Sequence, residues 1–264
     1  MSSLFLPYQQ RILSTDNQLI VVEKSRRIGI SWAVAGDCAL YASRTDGGDV
    51  YYKGQDKEMA QTFINDAAWF AKEIYKEVFE VFEDPEMPDK SIFTFKIHFK
   101  SGHSIVAQSS NPAGLRSKGR PSDRFVFDEA AFHPDFKALL KAAMALMMWG
   151  CRIMILSSHN GDGNVFNELI KDIRSGKRPG QVYRVTFQEA IADGLFKRVC
   201  QMTGKEWSPE AEKIWVTYMY DSYGDDAAEE LDVIPSAGSG VVLTRAQIER
   251  CMKPTITQNF AWTG

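Results

Sequence analysis

The sequence predicts an α/β fold in which a mostly parallel sheet is flanked by helices on both faces. Short runs of aliphatic residues, such as residues 19–22, contain no polar residue, which is typical of parallel strands buried on both sides. These runs alternate with longer helical stretches, as they do in proteins that pack helices on both faces of one sheet. With 264 residues, 44% of them hydrophobic, the chain is long enough to bury a substantial core.

The first part of the chain predicts two strands, each followed by a helix. The strand at residues 19–22 leads through a polar turn into a helix of small residues at 31–42. A second strand at residues 49–52 precedes a long amphipathic helix at residues 56–82. The predicted core-facing side of that helix carries Phe63, Ala67, Phe70, Ile74, Val78 and Val81.

A β-hairpin insertion is predicted next. Four apolar residues alternate with polar ones, a period of two that is typical of a strand with one solvent-facing side. Ser101 and Gly102 then turn the chain back into a second strand at residues 104–107. The alternating apolar residues are Phe93, Phe95, Ile97 and Phe99.

Three more strands are predicted, at residues 125–127, 153–156 and 181–187. A Met-rich helix at residues 134–149 lies between the first two of them. Methionine is flexible and adapts to irregular spaces, so we expect these side chains to fill gaps in the core.

Composition and charge argue against several classes of protein. The four cysteines lie far apart without a Cys-X-X-Cys pair, and the four histidines show no metal-binding spacing, which predicts reduced, mostly buried thiols. The net charge of −3 argues against a protein that coats nucleic acid, although it is compatible with a local basic patch. Apolar runs are far shorter than a membrane span and the N-terminus lacks a signal-peptide pattern, which predicts a cytosolic protein.

Residues 23–31, Glu-Lys-Ser-Arg-Arg-Ile-Gly-Ile-Ser, lie between the first predicted strand and the first helix. In a P-loop, backbone N–H groups at such a turn surround nucleotide phosphates, a lysine contacts the β- and γ-phosphates, and a Ser or Thr hydroxyl holds Mg²⁺. Gly29 and Ser31 occupy the second glycine and the Ser/Thr of this pattern. Lys24 stands in place of the first glycine, and Ile30 replaces the usual lysine.

The replaced lysine leaves the source of positive charge open. An aliphatic side chain at position 30 cannot neutralise a phosphate, so the cation would come from Lys24, Arg26 or Arg27. Taken alone, a basic turn of this kind is more often an exposed surface loop.

Two further polar groups follow predicted strands. Asp128 and Glu129 end the strand at 125–127, as in a Walker-B strand, where the first carboxylate supports Mg²⁺ and the second polarises the attacking water. Residues 157–161, Ser-Ser-His-Asn-Gly, end the next strand and offer hydroxyls and an amide for sensing a γ-phosphate. Each pattern alone is common at a strand end, but together they occupy the edge where open α/β sheets bind ligands. The combination predicts a P-loop NTPase of the RecA or ASCE type.

Together these residues resemble the ATPase domain of terminase large subunits, the DNA-packaging motors of tailed bacteriophages, in the form found in Mu-like transposable phages. The resemblance covers about residues 4–240. It includes residues 6–10, Leu-Pro-Tyr-Gln-Gln, which are similar to the family's adenine-contacting Q motif. Some members place the lysine of the phosphate loop at its front, as Lys24 is placed here. Residues 157–161 depart from the frequent Ser-Thr-Pro form of the coupling motif.

The resemblance implies roles for the motif residues. ATP would bind with its adenine near Tyr8 and Gln9. Ser31 and Asp128 would hold Mg²⁺, and Glu129 would orient the attacking water. Ser158 would sense the γ-phosphate. The phosphate-binding loop would comprise Lys24, Ser25, Arg26, Arg27, Ile28, Gly29, Ile30 and Ser31.

The implied organisation has three segments. We expect an ATPase core at residues 1–194, a helical lid and linker at 195–240, and the start of a following segment at 241–264. The second segment is helical and acidic, and its end at residues 235–240 has the Pro, Ser and Gly composition of a flexible linker. Terminase large subunits also carry an RNase H-like nuclease domain, and too little chain follows residue 240 to contain one.

The implied function is ATP hydrolysis that drives double-stranded viral DNA into a procapsid. The implied partners are DNA, contacted on its backbone without sequence preference, the portal protein and the small terminase subunit, in the host cytoplasm and without a membrane. In a homo-oligomeric ring on the portal, Arg116 or Arg120 would act as an arginine finger on a neighbouring subunit's ATP, or would contact DNA phosphate.

Two alternatives remain open. One is a superfamily 2 helicase or translocase, which would need a second RecA-like domain. The other is a nucleotide-binding protein with a decayed loop, which the isoleucine at position 30 favours.

Overall fold

An eight-stranded sheet lies at the centre of the molecule, which a computed structural model describes over residues 4–75, 79–83, 94–109 and 119–237. In chain order the strands are β1 (Leu19–Lys24), β2 (Val50–Gly54), β3 (Phe79–Glu83), β4 (Thr94–Phe99), β5 (Ser104–Ser109), β6 (Arg124–Phe127), β7 (Arg152–Ser157) and β8 (Gln181–Val185). Across the sheet they follow the order β3-β4-β5-β2-β6-β7-β1-β8. Only the pairs β3–β4 and β4–β5 are antiparallel. The predicted mostly parallel sheet with a hairpin insertion is therefore confirmed.

Helices cover both faces of this sheet. In chain order they are α1 (Pro7–Leu13), α2 (Ile30–Ser43), α3 (Lys57–Trp69), α4 (Phe136–Met147), α5 (Val165–Arg174), α6 (Phe187–Ala192), α7 (Leu195–Thr203), α8 (Pro209–Tyr223) and α9 (Ala227–Glu230). A π-helical turn, Phe70–Ile74, extends α3, and a 3₁₀ turn, Ala130–Phe132, follows β6.

Strand β1 shows why its sequence is apolar throughout. Ile20 and Val22 pack into the hydrophobic cluster that includes α2 and α3, whereas Leu19 and Val21 pack into the cluster that includes α4 and α5. Successive side chains of a strand point to opposite faces, so a strand covered on both sides needs apolar residues at every position. The prediction from residues 19–22 is confirmed.

The strand order places three polar strand ends side by side. Strand β7 lies between β1 and β6, and all three are parallel, so they end at the same edge of the sheet. The residues that follow β1 and β6 therefore lie on either side of the residues that follow β7, at the same edge of the sheet.

The prediction of a helix at residues 56–82 is wrong at residues 79–82, which form a strand. Helix α3 and its π-helical turn end at Ile74, and the chain then forms β3, which pairs antiparallel with β4. Val81, predicted on the helix, lies in this strand; Val78 lies outside the described residues, and Ile74 is exposed. Aromatic and β-branched residues at 79, 81 and 82 favour a strand once a partner strand is available.

The expectation that the methionines of residues 134–149 fill the core is only partly confirmed. Met144 and Met147 pack against the cluster on the α4 side of the sheet. Met148 is 87% exposed and Trp149 is 68% exposed, because α4 ends at Met147 and the chain turns at Gly150 towards β7. These two side chains therefore lie on the tip of a turn.

Helices α6 to α9 pack together at the end of the described chain. Trp215 of α8 contacts the rings of Phe187 in α6 and Phe196 in α7. The hydroxyl of Tyr220 donates to a carboxylate oxygen of Asp232 at 2.5 Å. The predicted division of the chain at residue 195 remains a prediction.

Three of the four cysteines lie within the described residues. Cys38, Cys151 and Cys200 are free and buried, as expected, and Cys251 lies outside the described residues. None of the helices in the described ranges combines the length and the apolarity that crossing a membrane requires.

Gly36 is expected to be a position where alanine destabilises a helix. An alanine in the middle of α2 would ordinarily raise helix stability, by up to about 1 kcal/mol. A Cβ atom at Gly36, however, would lie 2.7 Å from the Phe70 ring, so Gly36→Ala should lower the free energy of unfolding by about 1–3 kcal/mol. Thermal unfolding measures this, with Gly163→Ala as the control, because nothing lies within 4 Å of a Cβ there. A higher melting temperature for Gly36→Ala would contradict the close packing.

Candidate active site

Three strand ends meet at one edge of the sheet, as the sequence predicts. Lys24 is the last residue of β1, Ser157 is the last residue of β7, and Asp128 and Glu129 directly follow β6. The Lys24 ammonium nitrogen lies 2.8 Å from Glu129 Oε1, although 105 residues separate them. The loop after β1 and the carboxylates after β6 thus form one site.

The loop after β1 has the backbone shape of an anion-binding turn. Arg27 and Gly29 have φ angles of 58° and 74°, in the left-handed region, and Gly29 caps the N-terminus of α2. Left-handed residues in such a turn bring successive N–H groups together into a concavity that binds anions. A non-glycine residue such as Arg27 pays a strain energy for this conformation, of about 1–3 kcal/mol, and strain of this kind is concentrated at functional sites.

A cavity of about 590 Å³ opens over this loop. Its volume lies within the range of small-molecule sites. The predicted site residues that line it are Lys24, Arg26, Arg27, Ile28, Gly29, Ile30, Ser31, Asp128 and Glu129. The remainder of the wall comes mainly from Tyr52 and from the first turns of α3. The main motifs therefore face a common space of suitable size for a nucleotide.

Asp128 is held in the wall of this cavity and is only 1% exposed. The hydroxyl of Tyr52 donates to its Oδ2 at 3.1 Å, and Ser31 also hydrogen-bonds its carboxylate. Burial raises the pKa of Asp128, against the opposing effects of Lys24 and of these hydrogen bonds. A buried carboxylate held ionised at neutral pH is costly without a cation.

The residues present fit a magnesium ion. Asp128 and Ser31 offer carboxylate and hydroxyl oxygens, which are the ligands that Mg²⁺ prefers, and both line the cavity. Mg²⁺ sites in nucleotide-hydrolysing proteins commonly take one or two protein ligands and complete their coordination with phosphates and water. Asp128 is buried in the cavity wall, where a bound cation would offset the cost of its negative charge.

The backbone of Asp128 is anchored on both sides. Its N–H donates to the carbonyl of Lys53 at 3.0 Å, and its carbonyl accepts from His133 Nε2 at 2.7 Å. Burial lowers the pKa of His133, so the ring is neutral and Nε2 carries the hydrogen. These two bonds fix the peptide that leads into Glu129.

Glu129 adopts a left-handed conformation with a φ angle of 50°. Its Oε1 accepts from Lys24, and its Oε2 lies 3.4 Å from the backbone nitrogen of Ser158 and 3.5 Å from the hydroxyl of Ser157. Burial acts to raise the pKa of Glu129, but the Lys24 charge and these hydrogen bonds outweigh it, and the pKa is lowered. Glu129 is therefore an ionised carboxylate in a strained, well-defined position.

Tyr8 and Gln9 lie behind the loop rather than in the cavity. The Tyr8 hydroxyl donates to the carbonyl of Ile28 at 2.5 Å, and the Gln9 amide donates to the carbonyl of Gly29 at 3.0 Å. Both side chains are buried, and neither lines the cavity. In this structure they support the loop, and their predicted contact with adenine remains a prediction.

Two other predicted residues lie at the margin of the site. The Ser25 hydroxyl donates to the carbonyl of Glu230 at 3.1 Å, and Ser158 is buried with its backbone directed to Glu129. Neither lines the cavity. Arg116, the predicted arginine finger, lies outside the described residues. The alternative, Arg120, is exposed, and its backbone N–H donates to Asp123.

Sequence reasoning missed the residues that support the motifs from a distance. Tyr52 and His133 hold Asp128, as described above, and Glu230 at the end of α9 contacts Arg26 at 2.5 Å. The neighbouring Glu229 accepts from the backbone of Gly161 at 2.7 Å. The acidic pair at 229–230 was visible in the sequence, but only the fold shows that it reaches the loops after β1 and β7.

The raised pKa of Asp128 predicts that this residue costs stability. When the pKa of a carboxyl group is higher in the folded than in the unfolded protein, the free energy of unfolding falls as pH rises. The ionised form of Asp128 therefore destabilises the folded protein at pH 7. We expect Asp128→Asn to raise the free energy of unfolding at pH 7 by about 1 kcal/mol, or about 2–4 °C in melting temperature, with a smaller gain at pH 4. The exposed Asp46→Asn is the control, and its melting temperature should stay close to that of wild type. A lower melting temperature for Asp128→Asn would refute the predicted cost.

Comparison with known proteins gives relatives over nearly the whole chain, although no family model matches it. The chain is 42% identical over 262 residues to the probable terminase large subunit gp28 of Escherichia phage Mu, covering 95% of this chain and 47% of that protein. It is 41% identical over 255 residues to the Mu-like prophage FluMu protein gp28 of Haemophilus influenzae, covering 94% of this chain and 50% of that protein. The chain spans about half the length of these relatives.

Solved structures with the same fold are large terminases. The large terminase of a thermophilic bacteriophage has a TM-score of 0.63 at 14% identity, covering 90% of this chain and 55% of that chain. A second structure of that protein, in complex with ADP, has a TM-score of 0.61 at 14% identity, with coverages of 88% and 54%. The large terminase ATPase domain of Thermus phage P74-26 has a TM-score of 0.58 at 14% identity, covering 86% of this chain and 92% of that chain. The predicted fold class and the predicted resemblance are confirmed.

Proposed function

Because the chain is related over nearly its whole length to Mu-type terminase large subunits, we propose that it is an ATPase that powers the packaging of double-stranded viral DNA. The observation that carries this proposal is the contact between Lys24 and Glu129. It unites the loop after β1 and the carboxylates after β6 in one cavity of about 590 Å³. In a site that has lost its function, neither the ion pair of Lys24 with Glu129 nor the strained backbone of Glu129 would be expected to persist.

The proposed reaction is attack of water on the γ-phosphate of ATP, which breaks the bond from the γ-phosphorus to the oxygen that bridges it to the β-phosphate and releases ADP and phosphate. The loop after β1 binds the phosphates through its N–H groups and the N-terminus of α2, and Lys24 leaves Glu129 to contact the β- and γ-phosphates. Glu129, released from Lys24, accepts a hydrogen bond from the water and orients it for in-line attack. Ser157 and Ser158 hold the other oxygen of Glu129 and so keep the carboxylate directed into the site.

Mg²⁺ held by Ser31 and Asp128 would neutralise charge on the phosphate oxygens. Tyr52 keeps Asp128 oriented, because burial raises the pKa of Tyr52 well above its usual value and leaves its hydroxyl a donor. His133 and the Lys53 carbonyl keep the peptide before Glu129 in one conformation. Most of the acceleration then comes from positioning and charge stabilisation.

The wider assignments are also proposals. We propose that residues 1–194 form the ATPase core, that residues 195–240 act as lid and linker, and that residues 241–264 begin a following segment. Partners would be double-stranded DNA, the portal protein and the small terminase subunit, in the host cytoplasm and on the procapsid. Arg116 would complete the site of a neighbouring subunit in a ring, which makes slow hydrolysis by an isolated subunit an expected property.

The test is ATP hydrolysis by the purified chain, measured as phosphate release with and without linear double-stranded DNA. The proposal expects hydrolysis that DNA stimulates and that chelation of Mg²⁺ abolishes. ATP binding without any turnover, even after addition of DNA, portal and small subunit, would favour a nucleotide-binding protein instead. Turnover that survives chelation would refute the metal site at Ser31 and Asp128.

A further inference from the structure

A cluster of basic residues lies far from the nucleotide cavity in sequence, at the end of α5 and on the edge strand β8. We call it the basic face: Lys171, Arg174, Lys177, Arg178 and Arg184. Residues 165–185 contain these five basic residues and only two acidic ones. Residues 187–232, by contrast, contain eleven acidic and four basic residues. The chain is acidic overall, so its positive charge in this region is local.

Two arginines of the basic face are held in fixed positions by groups beneath them. Arg174 makes an ion pair with Glu23, whose side chain is only 3% exposed, while the Arg174 side chain remains 51% exposed. His159 lies 3.3 Å from the other oxygen of Glu23. Arg184 donates to the backbone carbonyls of Asp232 and Val233, at 2.5 and 3.3 Å. A guanidinium that is already oriented loses little side-chain entropy when it binds a further anion.

The other three cations are held only at the surface. Asp172 accepts from Lys177 at 3.0 Å and lies 3.6 Å from Arg178, in pairs that contribute little when exposed to solvent. Lys171 is exposed on α5, one turn before Arg174. These side chains are available to an external anion at small cost.

A groove of about 440 Å³ runs along this face. Its wall carries three cations and one carboxylate, together with Asn167, Ile170 and residues 233–235; the charged residues are Lys171, Arg174, Arg184 and Glu23. Its apolar residues are mostly covered: Ile170 is buried, and Ile234 is the exposed one. Protein–protein interfaces have an apolar centre, whereas protein–DNA interfaces are more polar and far more positively charged. The composition of the groove favours a nucleic-acid backbone over an acidic protein.

We propose that the basic face is the surface on which this chain contacts the phosphate backbone of double-stranded DNA. This inference rests on the proposed DNA-packaging function and assigns its DNA contact to specific residues. The ion pair from Arg174 to Glu23 also connects the groove to the nucleotide loop, since Glu23 directly precedes Lys24 in β1. DNA bound on the basic face would thus contact Arg174, whose partner Glu23 lies next to Lys24 in β1.

The test is the salt dependence of binding to a fluorescent DNA duplex, followed by anisotropy over roughly 0.05–0.3 M NaCl. The variant is Lys171→Ala with Lys177→Ala. Its control is Lys205→Ala with Lys213→Ala, which removes the same charge from two exposed lysines in the acidic segment. Loss of two phosphate contacts should reduce the slope of log K against log salt by about 2 and weaken binding about tenfold or more at 0.1 M salt, while the control stays close to wild type.

The other outcomes separate this proposal from the alternatives and from the proposed ATPase function. An equal loss in both double variants would show that net charge, not the basic face, governs binding. Unchanged DNA binding together with loss of self-association in sedimentation would assign the face to the acidic segment of a second copy. If the wild-type chain binds no DNA while it hydrolyses ATP, the DNA partner of the proposed function fails, and this site fails with it. If ATP hydrolysis is absent and wild type and variant differ as expected in DNA binding, the basic face stands and the ATPase proposal fails.

Discussion

Replacing Glu129 with Gln is expected to lower the rate of ATP hydrolysis by about 10²–10⁴-fold while ATP still binds. Glutamine has nearly the same shape as glutamate but cannot accept a proton or hold the water with a full negative charge. The backbone next to Glu129 does not depend on the charge of its side chain, because the Asp128 peptide is fixed by Lys53 and His133. The loss should therefore fall on the chemical step, and the dissociation constant for ATP should change little.

Single-turnover hydrolysis and equilibrium binding of a fluorescent ATP analogue separate these two quantities. Glu168→Gln serves as a control, because Glu168 lies in the first turn of α5, away from the cavity residues. Hydrolysis by Glu129→Gln within a factor of about three of wild type would remove Glu129 from the proposed mechanism. A loss of ATP binding equal to the loss of hydrolysis would instead give Glu129 a role in binding.

Replacing Lys24 with Ala is expected to weaken ATP binding by about 10–100-fold and to reduce hydrolysis at least as much. Lys24 lines the cavity at the end of β1 and is the cation already in contact with the Glu129 carboxylate. Arg26 is directed to Glu230, and Arg27 is exposed in the turn. Arg26→Ala and Arg27→Ala should therefore each weaken ATP binding less than Lys24→Ala does, in isothermal titration under the same conditions.

Lys24→Ala also leaves Glu129 without its partner, so loss of folding has to be separated from loss of binding. The double variant Lys24→Ala with Glu129→Gln removes both charges and should unfold at a higher temperature than Lys24→Ala alone. It should bind ATP as weakly as Lys24→Ala does. A larger loss of binding in Arg27→Ala than in Lys24→Ala would move the phosphate-binding role to the arginine.

The parts of the fold that the sequence predicts are those with local signals. Strands β1 and β7 have aliphatic residues at nearly every position, so burial on both faces follows from composition alone. The end of α3 is different, because residues up to 75 and residues 79–83 carry similar apolar side chains. Only the pairing of β3 with β4, a contact between distant parts of the chain, makes the second stretch a strand.

The residues of the candidate site also differ in whether a local sequence signal predicts them. Lys24, Ser31, Asp128 and Glu129 follow from short patterns at strand ends, and the structure brings them together. Tyr52 and the pair at 229–230 act across 76 and more than 60 residues of sequence, and nothing next to them indicates a partner. Tyr8 and Gln9 show a further limit: a pattern can identify residues at a site without telling whether they face the ligand or the loop behind it.

Because β7 lies between β1 and β6, the sheet fixes the distance between the residues that follow those two strands. Adjacent strands lie about 4.8 Å apart, so one intervening strand separates the backbones that carry Lys24 and Glu129 by roughly 10 Å. A lysine and a glutamate extended towards each other just bridge that width, as the 2.8 Å contact shows. Side chains that withdraw from each other open the same width to a phosphate and a water molecule. The spacing of the strands thus fixes the width that is available to bound groups between Lys24 and Glu129 before any substrate binds.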